Sequence, residues 1–169
     1  MTMSALDGVT IVDLTVARAG PAAVRLLAEW GASVIRVEPP GTGLGIAADI
    51  DSSDYMLLHG NQRLITADLK DERGAAIVRA LIEDADVLIE NFRPPVTRRL
   101  GLDYETLAAR HPRLVYGSIS GFGQDGPLGH RGAVDQVIQG MTGLMSLTGE
   151  PGSPPARVGI AIEIGRAHV

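Results

Sequence analysis

The sequence contains no cysteine and no long apolar run. Without cysteine, the chain cannot form a disulfide framework, a thiolate metal site or a cysteine nucleophile. No uninterrupted apolar stretch approaches the ~18 residues that indicate a membrane-spanning helix. The first residues also lack the basic and apolar regions of a secretory signal. The sequence therefore predicts a cytoplasmic protein with no membrane partner.

Basic side chains are in the minority, with 15 lysine and arginine residues against 20 acidic ones and a net charge of -5. This balance, with no basic run, argues against a nucleic-acid partner. His59, His111 and His130 are scattered with no two at metal-ligand spacing, so we expect no metal site. The chain also lacks the G-x-S-x-G signature of a hydrolase nucleophile. At 169 residues and 45% apolar composition, it is long enough for one domain with a real core.

Short apolar runs alternate with amphipathic stretches along the chain, and this predicts a Rossmann-like, doubly wound α/β domain with a parallel sheet. A strand over residues 9–14, a helix opening at Pro21 and a strand over residues 33–37 form a parallel βαβ unit. We further predict strands over 64–67, 87–89 and 114–119, helices over 55–58, 72–83, 104–110 and 135–147, and a glycine-rich and proline-rich loop over 39–48. The glycines of that loop lack the spacing of a dinucleotide-binding motif.

The turn after the first strand, residues 15–21, reads TVARAGP. Ligands of open parallel sheets bind beyond the carboxyl ends of the strands, where a helix N-terminus offers free N–H groups to an anion. Ala17, Ala19 and Gly20 would let a ligand approach the backbone, and Arg18 would add a positive charge. A simple strand-to-helix turn with a solvated arginine explains the pattern equally well.

A second candidate segment, residues 90–94, reads ENFRP and ends a buried strand at the same edge of the sheet. The carboxamide of Asn91 can both donate and accept hydrogen bonds. The guanidinium groups of Arg93 and Arg99 suit phosphate. The alternative is that these are surface arginines on a short helix.

The order of several segments resembles the class III CoA-transferases, the superfamily of the formyl-CoA and carnitine CoA-transferases and the acyl-CoA racemases. The resemblance covers residues 6–162 and implies a CoA-binding α/β domain over residues 1–162, the truncated N-terminal part of that fold. The segments that carry it are 15–21, 61–63 (NQR), 67–70 (ADLK), 90–94, 115–127 (VYGSISGFGQDGP), 135–145 (DQVIQGMTGLM) and 157–162 (RVGIAI).

The resemblance implies transfer of coenzyme A between an acyl-CoA and a carboxylic acid through an aspartyl-acyl anhydride, with no tightly bound cofactor and a homodimeric intact protein. The family's aspartate nucleophile falls at Ile164, so the chain as written is expected to be inactive alone. One alternative is a 2-methylacyl-CoA racemase or epimerase of the same fold, disfavoured because Val134 stands where racemases carry a histidine. The other is a non-catalytic CoA-binding fragment. The implied CoA-binding residues are Ala17, Arg18, Ala19, Ala67, Asp68, Leu69, Lys70, Asn91, Phe92, Arg93, Arg99, Val134 and Asp135.

The last six residues, 164–169, match one reading frame of a common sequencing-library adapter. Glu163 fits the same adapter, whose preceding AG completes a GAG codon. We therefore expect residues 163–169 to be a non-native read-through tail, the alternative being a natural C-terminus of ordinary composition. An isolated N-terminal part would leave sheet and dimer surfaces uncovered, which favours aggregation.

Overall fold

The computed structural model describes residues 3–41 and 52–160. Its centre is a five-stranded sheet, parallel throughout, with the strand order β3-β2-β1-β4-β5. The strands are β1 (Thr10–Asp13), β2 (Ser33–Glu38), β3 (Arg63–Thr66), β4 (Val87–Glu90) and β5 (Val115–Ser118). The helices are α1 (Ala19–Glu29), α2 (Ser53–His59), α3 (Glu72–Glu83), α4 (Pro94–Leu100), α5 (Tyr104–Ala108) and α6 (Asp135–Met141).

Both faces of the sheet are covered by helices, which confirms the predicted doubly wound α/β fold. On one face Ile11 of β1 packs with Val24 of α1. On the other face its neighbour Val12 packs with Val78 of α3 and Leu107 of α5. Successive side chains of a strand point to opposite faces, so an apolar run like that of β1 serves both cores at once.

The order of the strands places a topological switch point in the middle of the sheet. The chain runs outward from β1 through β2 to β3, and then crosses over to β4 and β5 on the other side of β1. Where the order reverses, the loops that follow the two neighbouring strands part and leave a crevice. The crevice therefore opens beyond Asp13 at the end of β1 and Glu90 at the end of β4.

The predicted helix over residues 135–147 is wrong in its length. Helix α6 ends at Met141, and a separate 3₁₀ turn follows at Leu144–Leu147. Gly143 lies between them with φ of 82°, a left-handed backbone conformation that interrupts a right-handed helix. The apolar periodicity continues across this break, which is why the pattern alone indicated one helix.

Some predictions fall outside the described residues. The loop over residues 39–48 is described only as far as Gly41, and both Ile164 and the tail over residues 163–169 lie beyond the described range. Within that range, no helix combines the length and apolar character needed to cross a membrane.

Candidate functional site

A cavity of about 980 Å³ lies at the carboxyl edge of the sheet, bordered by the ends of β1, β2 and β3 and by α3 and α4. This volume is at the upper end of the roughly 300–1,000 Å³ typical of small-molecule sites. Six of the thirteen residues implied by the resemblance line it, although they come from two separate chain segments. They are Ala67, Asp68, Leu69, Lys70, Phe92 and Arg99.

The lining of this cavity has an apolar part and a positively charged part. Leu14 and Val37 contribute buried apolar surface. Lys70, Arg98 and Arg99 are exposed and form no ion pair with any described residue, so their charges are available to an anion. A fourth cation of the lining, Arg79, is paired with Glu72. The arrangement suits a ligand with anionic groups at one end and a long uncharged part.

The turn after β1 is held by side chains from β1, from β2 and from the residue that follows β4. The backbone N–H of Thr15 donates to Oδ1 of Asp13 (2.8 Å), and its carbonyl accepts from Nη1 of Arg36 (3.3 Å). The backbone N–H of Val16 donates to Oδ1 of Asn91 (2.9 Å), and Nδ2 of Asn91 donates to the Val16 carbonyl (2.8 Å). All four backbone polar groups of these two residues are therefore satisfied by side chains. The Asn91 carboxamide, for which the sequence suggested a CoA contact, is engaged with Val16, and the contact stays a prediction.

The residue that follows Thr15 and Val16 has an unusual backbone conformation. Ala17 adopts φ of 64°, a left-handed conformation that costs a residue with a Cβ about 1–2 kcal/mol. Ala19 is buried at the start of α1, and a Cβ added to Gly20 would lie 2.3 Å from Cβ of Thr15. The small residue at position 20 is thus explained by packing within the turn. Of the three small residues in the turn, only Ala17 is exposed.

Arg18 is not among the residues that line the cavity, and its side chain pairs with Asp54 of α2. Both side chains are more than a third exposed, so the pair contributes little to stability. Its charge nevertheless lies beside the switch point, within the turn that the resemblance assigns to CoA binding.

A buried ionic cluster next to the turn was missed by the sequence reading. Arg36 of β2 is 4% exposed; its Nη1 donates to Oδ2 of Asp13 (3.0 Å) and its Nε to Oε1 of Glu38 (2.7 Å). Burial raises the pKa of Asp13, and hydrogen bonds from Thr15 and the charge of Arg36 oppose that rise. Nearby, burial lowers the pKa of His59 to about 4, so its imidazole is neutral near pH 7. The sequence shows only one charged residue in each of two predicted strands, and the strand register then places Asp13 beside Arg36.

A second buried carboxylate supports Phe92, one of the cavity residues. Glu90, 2% exposed, accepts hydrogen bonds from the Phe92 backbone N–H (2.7 Å), the Tyr116 hydroxyl (3.2 Å) and the Ser118 hydroxyl. Burial raises the pKa of Glu90, and these three donors act in the opposite direction. Glu90 therefore fixes the start of the loop that carries Asn91 and Phe92.

The remaining predicted residues lie outside the cavity lining, near α6. The Arg93 guanidinium rests against Gly132, where an added Cβ would lie 2.6 Å from Nη2. Val134 precedes α6 and is 55% exposed, and Asp135 begins the helix and is buried. The structure thus brings six predicted residues together in one cavity and gathers Arg93, Val134 and Asp135 elsewhere at the same edge.

Gln139 was also missed, and it connects α6 to the segment that leads toward position 164. Its side chain is fully buried. Its Nε2 donates to Oδ2 of Asp135, and its Oε1 accepts from the backbone N–H of Val158 (2.9 Å). A glutamine in an apolar helical stretch gives no sequence signal of such a role, because its partners are distant along the chain.

The chain is similar to known proteins in family pattern, sequence and structure. The model of CoA-transferase family III matches residues 6–163. The chain is 44% identical to the acetyl-CoA:oxalate CoA-transferase of Acetobacter aceti, covering 90% of this chain and 41% of that protein. It is 41% identical to the succinate–glutarate CoA-transferase of Agrobacterium fabrum, covering 93% and 42% respectively.

Among solved structures, a CAIB/BAIF family protein from Brucella suis superposes with a TM-score of 0.84 at 41% identity. The match covers 95% of this chain and 45% of that one. The chain thus spans less than half the length of these relatives, 41% and 42% of the two curated ones.

Proposed function

The chain belongs to CoA-transferase family III, and from that premise we propose that it forms the CoA-binding part of an enzyme that transfers coenzyme A from an acyl-CoA donor to a carboxylic acid. One observation carries the proposal. Residues from the 67–70 segment and from the region after β4, assigned to CoA by resemblance, border one cavity at the switch point. That position in a doubly wound sheet is where ligands bind.

The chemistry of the cavity lining supports coenzyme A as the ligand. Coenzyme A carries a 3′-phosphate and a pyrophosphate at its nucleotide end, followed by an uncharged pantetheine chain. Arg98 and Arg99 offer planar donor groups that match phosphate oxygens, and Lys70 adds a compact positive charge. Val16 and Phe92, both half-buried, offer apolar surface to the pantetheine methyl groups.

The proposed reaction proceeds through covalent catalysis by a carboxylate. An aspartate oxygen attacks the thioester carbonyl, the C–S bond breaks, and coenzyme A leaves as the thiolate while an acyl-aspartyl anhydride remains. The thiolate then attacks the aspartyl carbonyl and releases the donor acid, and the acceptor carboxylate exchanges in by the reverse steps. Because a carboxylate is a weak nucleophile, the reaction depends on N–H donors aimed at the developing oxyanion. This chain carries Ile164 at the nucleophile position, so we propose that it is inactive alone.

Sequencing the source locus beyond the codon of Ile162 tests the nucleophile. We expect the reading frame to continue with an aspartate in place of Ile164 and with codons that differ from the adapter. The control is an independent amplification of the upstream region, which should reproduce the codons for residues 1–162. A confirmed stop codon after Val169 would contradict the transferase proposal and favour a CoA-binding fragment without catalysis.

The homodimer implied by the resemblance is part of the same proposal. Large apolar side chains near α6 remain exposed: Val137 by 45%, Met141 by 56% and Leu147 by 84%. Such side chains favour coverage by a further part of the protein or by a second subunit.

The names of the two curated relatives include oxalate and glutarate, so small dicarboxylic acids are the first acceptors to assay.

Binding of coenzyme A tests the cavity directly. With the chain tethered at low density to a sensor surface, to avoid aggregation, we expect Arg99→Ala to raise the Kd for coenzyme A about tenfold, equivalent to ~1.4 kcal/mol. The matched control is Arg113→Ala, because Arg113 is also exposed but lies before β5, at the opposite edge of the sheet. Equal losses in both variants, or unchanged binding in Arg99→Ala, would contradict a phosphate contact by Arg99.

A further inference from the structure

We propose that Asn91 is a positioning residue for CoA binding. It binds the backbone of Val16 and thereby holds the following residue, Ala17, in its left-handed conformation. The inference rests on the proposed function, since it concerns the same cavity. It assigns Asn91 a role distinct from direct contact with the ligand, and it makes Arg36 the second support of the same turn.

The geometry of the Asn91 carboxamide carries the inference. Its oxygen accepts from the Val16 N–H (2.9 Å) and its nitrogen donates to the Val16 carbonyl (2.8 Å), a reciprocal pair that resembles one rung of a sheet. The Asn91 carboxamide therefore uses its oxygen and one of its two N–H bonds to bind a residue 75 positions away in the sequence. Val16 itself lines the cavity, so the pair connects the end of β4 to the ligand surface.

Arg36 completes the support from the other side of the turn. Its Nη1 donates to the Thr15 carbonyl (3.3 Å), while Asp13 accepts from the Thr15 N–H (2.8 Å). Four hydrogen bonds thus fix two consecutive residues, and the next one, Ala17, has φ of 64°. A residue with a Cβ keeps such a backbone only where its surroundings impose it. The supports of the turn supply that constraint and preset its shape before a ligand arrives.

A double-mutant cycle between Asn91 and Ala17 separates positioning from contact. Asn91→Ala removes the support, and we expect the Kd for coenzyme A to rise at least tenfold because Ala17 relaxes to negative φ. Glycine adopts positive φ without the Cβ penalty. We therefore expect the double variant with Ala17→Gly to recover at least a threefold part of that loss. Ala17→Gly should lower the Kd for coenzyme A by a larger factor in the Asn91→Ala variant than in the unmodified chain.

The probe is coenzyme A itself on the tethered full chain, and circular dichroism spectra verify that each variant is folded. If Asn91→Ala does not fold, Asn91→Ser with and without Ala17→Gly provides the same comparison, because the shorter side chain cannot make both bonds to Val16. A loss that Ala17→Gly leaves uncorrected would overturn the inference and favour direct contact by Asn91. An unmodified chain that does not bind coenzyme A would instead refute the proposed function.

Discussion

Replacing Arg36 by methionine is expected to lower the free energy of unfolding by about 3–5 kcal/mol, a large part of the ~5–15 kcal/mol that stabilises a typical domain. Methionine fills similar space but leaves the carboxylate of Asp13, fully buried at the end of β1, without its cationic partner. Glu38 and the Thr15 carbonyl lose donors at the same time. Pulse proteolysis in urea, performed at low protein concentration, measures the loss.

The pH dependence of this loss identifies its cause. Burial raises the pKa of Asp13 above its ordinary value of 3.8, so the stability that this group contributes is full below that value and is lost as pH rises through the folded-state pKa. Without Arg36 the folded-state pKa rises further. The deficit of Arg36→Met relative to the unmodified chain should therefore be smaller in mildly acidic buffer than in mildly alkaline buffer.

The matched control for this prediction is the double variant Asp13→Asn with Arg36→Met. It removes both charges, and replacing a whole buried pair by neutral groups costs much less than breaking it. Its stability should exceed that of Arg36→Met alone, and this advantage should grow from mildly acidic to mildly alkaline buffer. If the double variant is as unstable as the single one at every pH, the buried charge of Asp13 is not the cause of the loss.

The sequence predicted the fold because each element is encoded locally. Apolar runs short enough for strands, and the apolar face over residues 72–83, indicate an alternating α/β pattern without long-range information. The helix Glu72–Glu83 matches its prediction at both ends, and its start is fixed by Asp71, which accepts from the Arg73 N–H. The same kind of periodicity failed over residues 135–147, where the apolar pattern continues past Gly143, a glycine whose left-handed conformation ends α6.

The candidate site was predicted less completely because its supports depend on contacts between distant segments. The sequence reading singled out Asn91 by the chemistry of its carboxamide, but its pairing with Val16 follows from strand order, which places β4 beside β1. Arg36 appeared to be an ordinary charge in an apolar strand, because its partner Asp13 becomes adjacent only through strand register. Likewise the left-handed backbone of Ala17 is imposed by its surroundings, at a position where sequence patterns favour glycine.

Gly74→Ala is the second change for which we expect a large effect, a loss of about 1–3 kcal/mol in the free energy of unfolding. Gly74 lies in the first turn of α3, where an added Cβ would lie 2.2 Å from the carbonyl oxygen and 2.9 Å from the backbone nitrogen of Asp68. Backbone atoms cannot rotate away as the end of a side chain can, so the segment from Asp68 to Lys70 must shift. That segment lines the cavity, and we therefore expect weaker binding of coenzyme A together with the lower stability.

Gly140→Ala is the matched control, because it makes the same substitution in an exposed helical position. A Cβ at Gly140 meets only the Met145 sulfur, at 3.8 Å, so alanine gains helix propensity of up to ~1 kcal/mol without a clash. The two alanine variants should change stability in opposite directions in the same pulse-proteolysis measurement, and only Gly74→Ala should weaken CoA binding. If Gly74→Ala is as stable as the unmodified chain and its Kd is unchanged, the Asp68–Lys70 segment shifts to accept the added Cβ without a loss of free energy. The close approach of α3 would then have no part in shaping the cavity.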